Sequence, residues 1–283
     1  MSGGHAHYVI IDGDNHQVWT RDRGASGLFR DLLPGPEAAI SFIRAQEGGT
    51  PNRWMNSVWW EGVALLDLRR RLLLVHTNQE MPGLESDTSV PQIRAWLNLV
   101  GACWPGWRVK WASRGLFEVM DYLELPYSTV LYLDDPPSPL HEQWAYEVVD
   151  DEDPTAMAHA LVTIRSAPER LSFAGWWGDE LGPLLLAGPD PLLVPQDEAS
   201  TFAVLDGVPY SGLLLDVPER RADWWSIDCL HDPRLLPARW PGWTLTDHGD
   251  AYEEVAALIG PELLIDTPPE AEVLRQVRAA LEA

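Results

Sequence analysis

Residues 103–111 read CWPGWRVKW and residues 239–247 read RWPGWTLTD, so the sequence spells Trp-Pro-Gly-Trp twice. Proline presets φ at the second position of a β-turn, and glycine supplies the positive φ that a type II turn requires at the third. We therefore predict that each word is a tight turn between a helix and a strand, with its indoles buried against both. Stacking of these indoles on a ligand is the alternative interpretation.

The two words also align the two halves of the chain. Outward from them, five further blocks recur in the same order: 7–12 with 145–150, 32–37 with 185–190, 62–71 with 212–221, 114–123 with 250–259, and 130–137 with 262–269. A single match is weak, but collinear matches indicate an internal repeat. The sequence predicts a tandem duplication into an N-terminal repeat domain, residues 1–138, and a strongly acidic C-terminal repeat domain, residues 139–283.

Turn and capping residues indicate the secondary structure of one copy. Residues 8–12 alternate like a strand, Pro36 stands at a first helical position, and Ser89 can cap a long helix. Residues 63–76 read as two strands around a turn, and residues 268–283 form an amphipathic helical pattern. Because hairpins alternate with helices, we expect an α+β fold in which each copy is a mostly antiparallel sheet covered by helices on one face.

Charge is distributed unevenly along the chain. The formal net charge is −23, and residues 141–283 hold 27 acidic and 8 basic residues, against 16 and 12 in residues 1–140. An acidic protein repels nucleic acids and anionic membrane surfaces and attracts basic partners. We therefore expect a protein partner with a basic surface, and neither a nucleic acid nor a membrane as partner. Solubility is the alternative explanation of the charge.

Targeting and cysteine patterns indicate a cytoplasmic protein. Residues 1–11, MSGGHAHYVII, lack the basic and apolar regions of a secretory signal, and no apolar run reaches the roughly 20 residues that cross a bilayer. Cys103 and Cys229 are too few for a disulfide framework, so we expect buried free thiols. Lys110 is the only lysine among 20 basic residues, a bias that indicates a GC-rich, bacterial genome.

Fifteen tryptophans are many for a chain of 283 residues, and several stand in pairs. Neighbours in a strand point to opposite faces, so a doublet can bury one indole and expose the other. We predict a recognition surface at the two doublets that adjoin carboxylates, formed by Trp59, Trp60, Glu61, Trp176, Trp177, Asp179 and Glu180. The alternative, that helices or the sister repeat cover both faces, applies equally to the third doublet, Trp224-Trp225.

The sequence offers few candidates for catalysis. Nucleotide-binding glycine loops, HExxH and Cys-x-x-Cys are all missing, so we expect no cofactor and no metal. Cys229 with His231 is the best enzymatic lead, because a thiol beside an imidazole can act as a nucleophile. His248 is a further candidate in the C-terminal copy only. The absent motifs favour a non-enzymatic protein.

Two other groups of polar residues have structural interpretations. Asp67 and Asp216 stand at matching strand ends, as do Asp134 or Asp135 and Asp266, and we expect such side chains to accept local backbone N–H bonds. Acid–base chemistry between paired carboxylates is the alternative. The terminal segment His5-Ala6-His7 is expected to be mobile rather than a metal site.

The order Tyr-x-x-x-Asp, Leu-Leu-x-Gly-Pro-Glu, Trp-x-Glu-Gly-x-x-Leu-Leu-Asp and Trp-Pro-Gly-Trp, read from residues 8–107, resembles small uncharacterised bacterial proteins rich in tryptophan. In general character, an acidic, tryptophan-rich α+β protein without catalytic motifs is similar to immunity proteins, which neutralise toxins. The resemblance covers both halves and is clearer in the first. In the second half, Pro209-Tyr210-Ser211-Gly212 replaces Trp-x-Glu-Gly.

Functions of different classes follow from these patterns. The first is a non-enzymatic cytoplasmic binding protein, in its sharpest form an immunity or inhibitor protein, that binds a basic partner through an acidic, tryptophan-containing surface. The second is an enzyme or small-molecule-binding protein with a tryptophan-lined site at the junction of the repeats, using Cys229 and His231. In a third interpretation, the C-terminal copy only stabilises the N-terminal one.

Overall fold

The computed structural model of the protein describes residues 4–56, 59–84, 88–131, 160–176, 181–193 and 201–282. The elements of the N-terminal half are β1 (His5–Asp12), β2 (Asn15–Arg21), α1 (Leu28–Asp31), α2 (Pro36–Arg44), β3 (Gly48–Thr50), β4 (Trp60–Asp67), β5 (Leu72–Thr77), α3 (Val90–Cys103), β6 (Arg108–Trp111) and α4 (Gly115–Tyr122). The predicted helix starts are confirmed: Pro36 is the first residue of α2, and Ser89 precedes α3, where its N–H donates to Gln92 Oε1.

The elements of the C-terminal half are β7 (Ala160–Ala167), β8 (Arg170–Trp176), α5 (Gly182–Ala187), α6 (Pro189–Leu192), β9 (Ala203–Asp206), β10 (Ser211–Asp216), β11 (Arg221–Ser226), α7 (Leu236–Arg239), β12 (Thr244–Asp247), α8 (Tyr252–Ile259), β13 (Leu263–Asp266) and α9 (Glu270–Glu282). The fold is α+β, as predicted. The segment 145–150, predicted to repeat residues 7–12, lies outside the described residues.

The chain forms two compact units. Unit 1 comprises Met1–Asp135 with Pro269–Ala283, and unit 2 comprises Pro136–Pro268. The C-terminal helix α9, which the sequence analysis places in the second repeat, therefore packs within unit 1. Its Val273 and Val277 are buried, and Ala280 O accepts a hydrogen bond from Arg30 Nη2 at 3.1 Å.

The main sheet of each unit is mixed, so the expectation of mostly antiparallel sheets is wrong for unit 2. In unit 1 the order is β3-β2-β1-β4-β5-β6, with parallel pairing at β1–β4 and β5–β6. In unit 2 the order is β12-β11-β10-β7-β8, and two of its four pairings, β7–β10 and β11–β12, are parallel. The parallel pairs arise because helical crossovers return the chain in the same direction.

Five strands of each main sheet match in order and direction. The series β2-β1-β4-β5-β6 and β8-β7-β10-β11-β12 both pair antiparallel, parallel, antiparallel and parallel. Asp67 and Asp216 close the matching hairpins, where each accepts a backbone N–H, from Arg70 at 2.7 Å and from Glu219 at 3.2 Å. This confirms their predicted turn role. The shared topology supports the inference of a duplication, which stays a prediction.

Both Trp-Pro-Gly-Trp words form the predicted turns. Gly106 and Gly242 have φ of 78° and 77°, and the N–H of the second tryptophan donates to the carbonyl of the first in each word. The first indole, Trp104 or Trp240, is buried, and its Nε1 donates at 2.6 Å to the carbonyl of Leu32 or Leu185. A buried hydrogen bond therefore joins each Trp-Pro-Gly-Trp motif to the Leu-Leu-x-Gly-Pro block of its own unit. These contacts leave the first indole unavailable for stacking on a ligand.

Helices cover both faces of the unit 1 sheet, not one face as expected. Tyr8 Oη donates to Asp31 Oδ2 of α1 at 2.8 Å, whereas Tyr122 Oη of α4 donates to Asp67 Oδ2 at 2.6 Å. Tyr8 is in register with Ala64, three residues before Asp67, so the two contacts lie on opposite faces. We call the face that carries His7, Val63, Asp67 and α4 the α4 face.

The α4 face has its counterpart in unit 2. There, Arg165 pairs with Asp216 at 2.8 Å and also donates to the carbonyls of Leu258 and Ile259 at the end of α8. Leu213, three residues before Asp216, packs instead in the core with α5 and α7. Helix α8 therefore occupies the place of α4.

The glycine before the proline in each Leu-Leu-x-Gly-Pro block is expected to tolerate substitution poorly. Gly35 has φ 93° and Gly188 has φ 81°, and an added Cβ would meet a backbone oxygen at 2.8 Å and 2.5 Å. We predict that Gly35→Ala and Gly188→Ala each lower the free energy of unfolding in urea by more than about 2 kcal/mol. Gly106→Ala and Gly242→Ala, which meet only an arginine side chain, should cost roughly 1 kcal/mol. Equal losses at all four sites would contradict this explanation.

Candidate binding surface

The first tryptophan doublet stands at the entry to β4 and divides between solvent and core. Trp59 is 51% exposed, whereas Trp60, the first residue of β4, is 5% exposed. Trp60 is therefore part of the core and does not reach the predicted surface. Glu61 is partly buried and accepts a hydrogen bond from Gln79 Nε2 at 2.8 Å.

The surroundings of Trp59 are polar. Its ring forms a T-shaped contact with the ring of His5, with 6.2 Å between the ring centroids. His5 Nδ1 lies 3.0 Å from Asp22 Oδ1. Asp22 is 88% exposed. We call Trp59, His5 and Asp22 the Trp59 surface. His5 and His7 belong to β1, so the expectation that this segment is mobile is wrong.

The third doublet gives no exposed indole. Trp224 and Trp225 are both buried in unit 2, which matches the alternative that both faces of the sheet are covered. Trp176 ends β8, and the predicted site residues Trp177, Asp179 and Glu180 lie outside the described residues.

Cys229 and His231 meet, but in an arrangement unsuited to activating the thiol. Cys229 Sγ lies 3.3 Å from His231 Nδ1, and the same nitrogen lies 2.9 Å from Cys229 O. A carbonyl only accepts, so Nδ1 carries the proton and cannot take one from the thiol. Both residues are buried, and Cys229 belongs to the apolar core of unit 2. Cys103, by contrast, is exposed at the end of α3, so the expectation of two buried thiols holds for Cys229 alone.

His248 connects two carboxylates on the α8 side of unit 2. Its Nε2 lies 3.0 Å from Asp223 Oδ1, and its Nδ1 lies 2.8 Å from Glu254 Oε2. Arg221 Nε donates to the other oxygen of Asp223 at 2.6 Å. Burial opposes the charged imidazole, but the hydrogen bonds to both carboxylates outweigh it and raise the pKa of His248. In its protonated form His248 donates from both nitrogens and joins β11 to α8, so the geometry suits a bridge between carboxylates rather than a catalytic base.

This bridge predicts a pH-dependent contribution to stability. A raised pKa means that the contribution is present at low pH and is lost as pH rises through the pKa of the folded state. We expect His248→Gln to lower the melting temperature more at pH 6 than at pH 9. Glu254→Gln should show a smaller effect of the same sign, because the Glu254 carboxylate is mostly exposed. A melting difference that does not vary with pH would contradict the bridge.

Unit 1 has two buried histidines on the α4 face of its sheet. His7 and His76 flank Val63 in register across three strands. Burial and the nearby His5 lower the pKa of His7 to about 3, and burial lowers that of His76 to about 4 against the opposing hydrogen bond with the backbone of Ala112. His7 Nε2 accepts the N–H of Met55 at 2.8 Å, which requires a neutral ring. Both residues are therefore neutral parts of the core near pH 7.

A second exposed surface lies on the two-stranded parallel sheet of β9 and β13 in unit 2. Val204 and Leu264 are directly in register and are 49% and 51% exposed. Two residues further along the same face, Asp206 and Asp266 are also in register and exposed. We call these four side chains the β9–β13 face. No local sequence pattern predicts this face, because residues 263–266 read LLID without alternation and the face depends on the pairing of β9 with β13.

Comparison with known proteins does not indicate a function, so the function is inferred from the geometry described above. Among the described residues, no helix is long and apolar enough to cross a membrane, and no three His, Cys, Asp or Glu side chains are grouped to hold a metal ion. Comparison with protein-family models, with curated proteins and with solved structures finds no match to this chain.

Proposed function

We propose that the chain is a non-enzymatic binding protein for a basic protein partner. The most specific version of this proposal is that it is an immunity or inhibitor protein. The observation that carries the proposal is the half-exposed indole of Trp59 beside the buried indole of Trp60. Tryptophan is among the residue types most enriched at the positions that dominate the binding energy of protein–protein interfaces. In this position it can anchor a partner at little cost in side-chain entropy.

Charge supports a basic partner. Residues 141–283 hold 27 acidic and 8 basic residues, and the net charge of the chain is −23. A field of this sign speeds the approach of a cationic surface and disfavours anionic ones. The candidate catalytic groups are better explained as structural, because His231 Nδ1 donates to a backbone carbonyl and His248 bridges two carboxylates.

Affinity capture with the full chain, followed by binding measurements with the purified partner, tests the proposal. The host lysate and the product of the neighbouring gene are the two sources to examine. We expect a partner with a basic isoelectric point and a dissociation constant that rises with salt. Trp59→Ala should weaken binding at least about tenfold, since a central tryptophan anchor contributes on the order of 2 kcal/mol or more.

Trp107→Ala is the matched control, because Trp107 is a partly exposed tryptophan of the same unit within a structural turn. It should leave the dissociation constant unchanged. A purified partner that is acidic, or one that binds Trp59→Ala and wild type equally, would overturn the proposal. Turnover of a small molecule by the purified chain would favour the enzymatic alternative.

A further inference from the structure

We propose that the β9–β13 face docks a segment of the partner in which an aliphatic side chain and a lysine or arginine alternate on one face. This inference rests on the proposed function and adds a second contact, in unit 2. It names the chemistry of the segment that would bind there: an apolar side chain against Val204 and Leu264, and a cation against Asp206 and Asp266.

The apolar half of the face, Val204 and Leu264, is exposed to solvent although both residues belong to paired strands. Both strands follow one burial pattern, in which the first residue, Ala203 or Leu263, is buried and the second, Val204 or Leu264, is about half exposed. Phe202, just before β9, is 41% exposed. Val204 and Leu264 lie side by side in register, so together they offer a partner a continuous apolar contact. Their burial by a partner would release the free energy of apolar transfer.

The acidic half of the face specifies the charge of the occupant. Asp206 and Asp266 are direct neighbours on adjacent strands, where like charges repel. Neither pairs with an arginine among the described residues. A cationic side chain placed between them removes the repulsion and gains two charge-assisted contacts. The carboxylates lie two residues, or roughly 7 Å, from the apolar pair. An extended partner segment therefore matches the face when its apolar and basic residues are two positions apart.

The test uses a synthetic peptide of repeated Leu-Ser-Lys-Ser and the full chain, with binding followed by fluorescence anisotropy. An extended peptide of this sequence presents leucine and lysine alternately on one face. We expect binding that the double variant Val204→Ser/Leu264→Ser weakens at least about tenfold. Asp206→Asn/Asp266→Asn should weaken it similarly and reduce its dependence on salt.

Matched controls distinguish specific binding at this face from non-specific electrostatic and non-specific hydrophobic binding of the peptide. Leu235→Ser removes another exposed leucine of unit 2, and Glu169→Gln removes another exposed carboxylate, and both should bind like wild type. Repeated Ser-Ser-Lys-Ser and Leu-Ser-Glu-Ser peptides should bind weakly. Equal binding of the lysine peptide without leucine, or of the Val204→Ser/Leu264→Ser variant, would overturn the proposal.

Two other occupants give different results. A concentration-dependent dimer that Val204→Ser/Leu264→Ser abolishes would assign the face to a second copy of the chain and overturn the proposal. A large drop in melting temperature in that variant would assign the face to internal packing, with the same consequence. If a captured partner depends on Trp59 but not on the β9–β13 face, the proposed function stands and this inference fails. If the peptide binds as expected but no basic partner exists, the proposed function fails alone.

Discussion

Trp104→Ala and Trp240→Ala are each expected to lower the free energy of unfolding by about 3–5 kcal/mol, as measured by urea denaturation. Each change leaves a large cavity in a core where the indole is almost fully buried. It also leaves the carbonyl of Leu32 or Leu185 without the Nε1–H that it accepts at 2.6 Å. The loss combines missing apolar contacts with a lost buried hydrogen bond.

The second tryptophan of each word is the matched control. Trp107 and Trp243 are only partly buried and meet the first indole edge to face, with ring centroids 4.9 Å and 5.4 Å apart. Trp107→Ala and Trp243→Ala should therefore cost less than half as much. Similar losses for the first and second tryptophans would show that the hydrogen-bonded indole does not hold the turn to the Leu-Leu-x-Gly-Pro block.

Acidification is expected to destabilise unit 1 through His7 and His76. Their pKa values of about 3 and about 4 lie below the roughly 6.5 of a histidine in an unfolded chain, so the unfolded state binds more protons as pH falls. The free energy of unfolding therefore keeps the full contribution of the neutral histidines above about pH 6.5 and declines below that pH. At pH 5 the expected loss is about 2 kcal/mol per histidine, or about 4 kcal/mol for the pair.

Variants isolate this contribution from the other titrating groups. His7→Leu and His76→Leu should each flatten the decline in the free energy of unfolding between pH 7.5 and pH 5. Leu161 and Trp225 hold the corresponding register positions in unit 2, so apolar residues suit this place in the fold. His16→Gln, at a partly exposed position, should leave the decline unchanged. An unchanged decline in the His7→Leu/His76→Leu double variant would contradict the explanation.

Local signals predicted much of the fold. The two Pro-Gly turns, the starts of α2 and α3, and the hairpin closed by Asp67 each depend on residues close together in sequence. Such features follow from backbone preferences and local hydrogen bonds, which a sequence displays directly. The Trp59-Trp60 doublet does divide between solvent and core, but Trp59 precedes β4, so the period of a strand does not explain the division.

Long-range packing was not predictable in the same way. The pattern of α9 shows that one side is buried, but it does not say that unit 1 covers it. The sheets are mixed because of where crossovers return the chain, which no local pattern records. The bridge of His248 to Asp223 joins residues 25 positions apart. The β9–β13 face requires the pairing of strands about 60 residues apart, so its adjacent Val204 and Leu264 are invisible in the sequence.

The dissociation constant of the purified partner, measured by isothermal titration calorimetry for wild type, Trp59→Ala and Trp107→Ala at low and high salt, tests the central claim most directly. We predict a basic partner whose binding weakens with salt, weakens at least about tenfold in Trp59→Ala, and is unaffected in Trp107→Ala. Binding that is indifferent both to salt and to Trp59 would contradict the assignment of this chain as a binding protein for a basic partner.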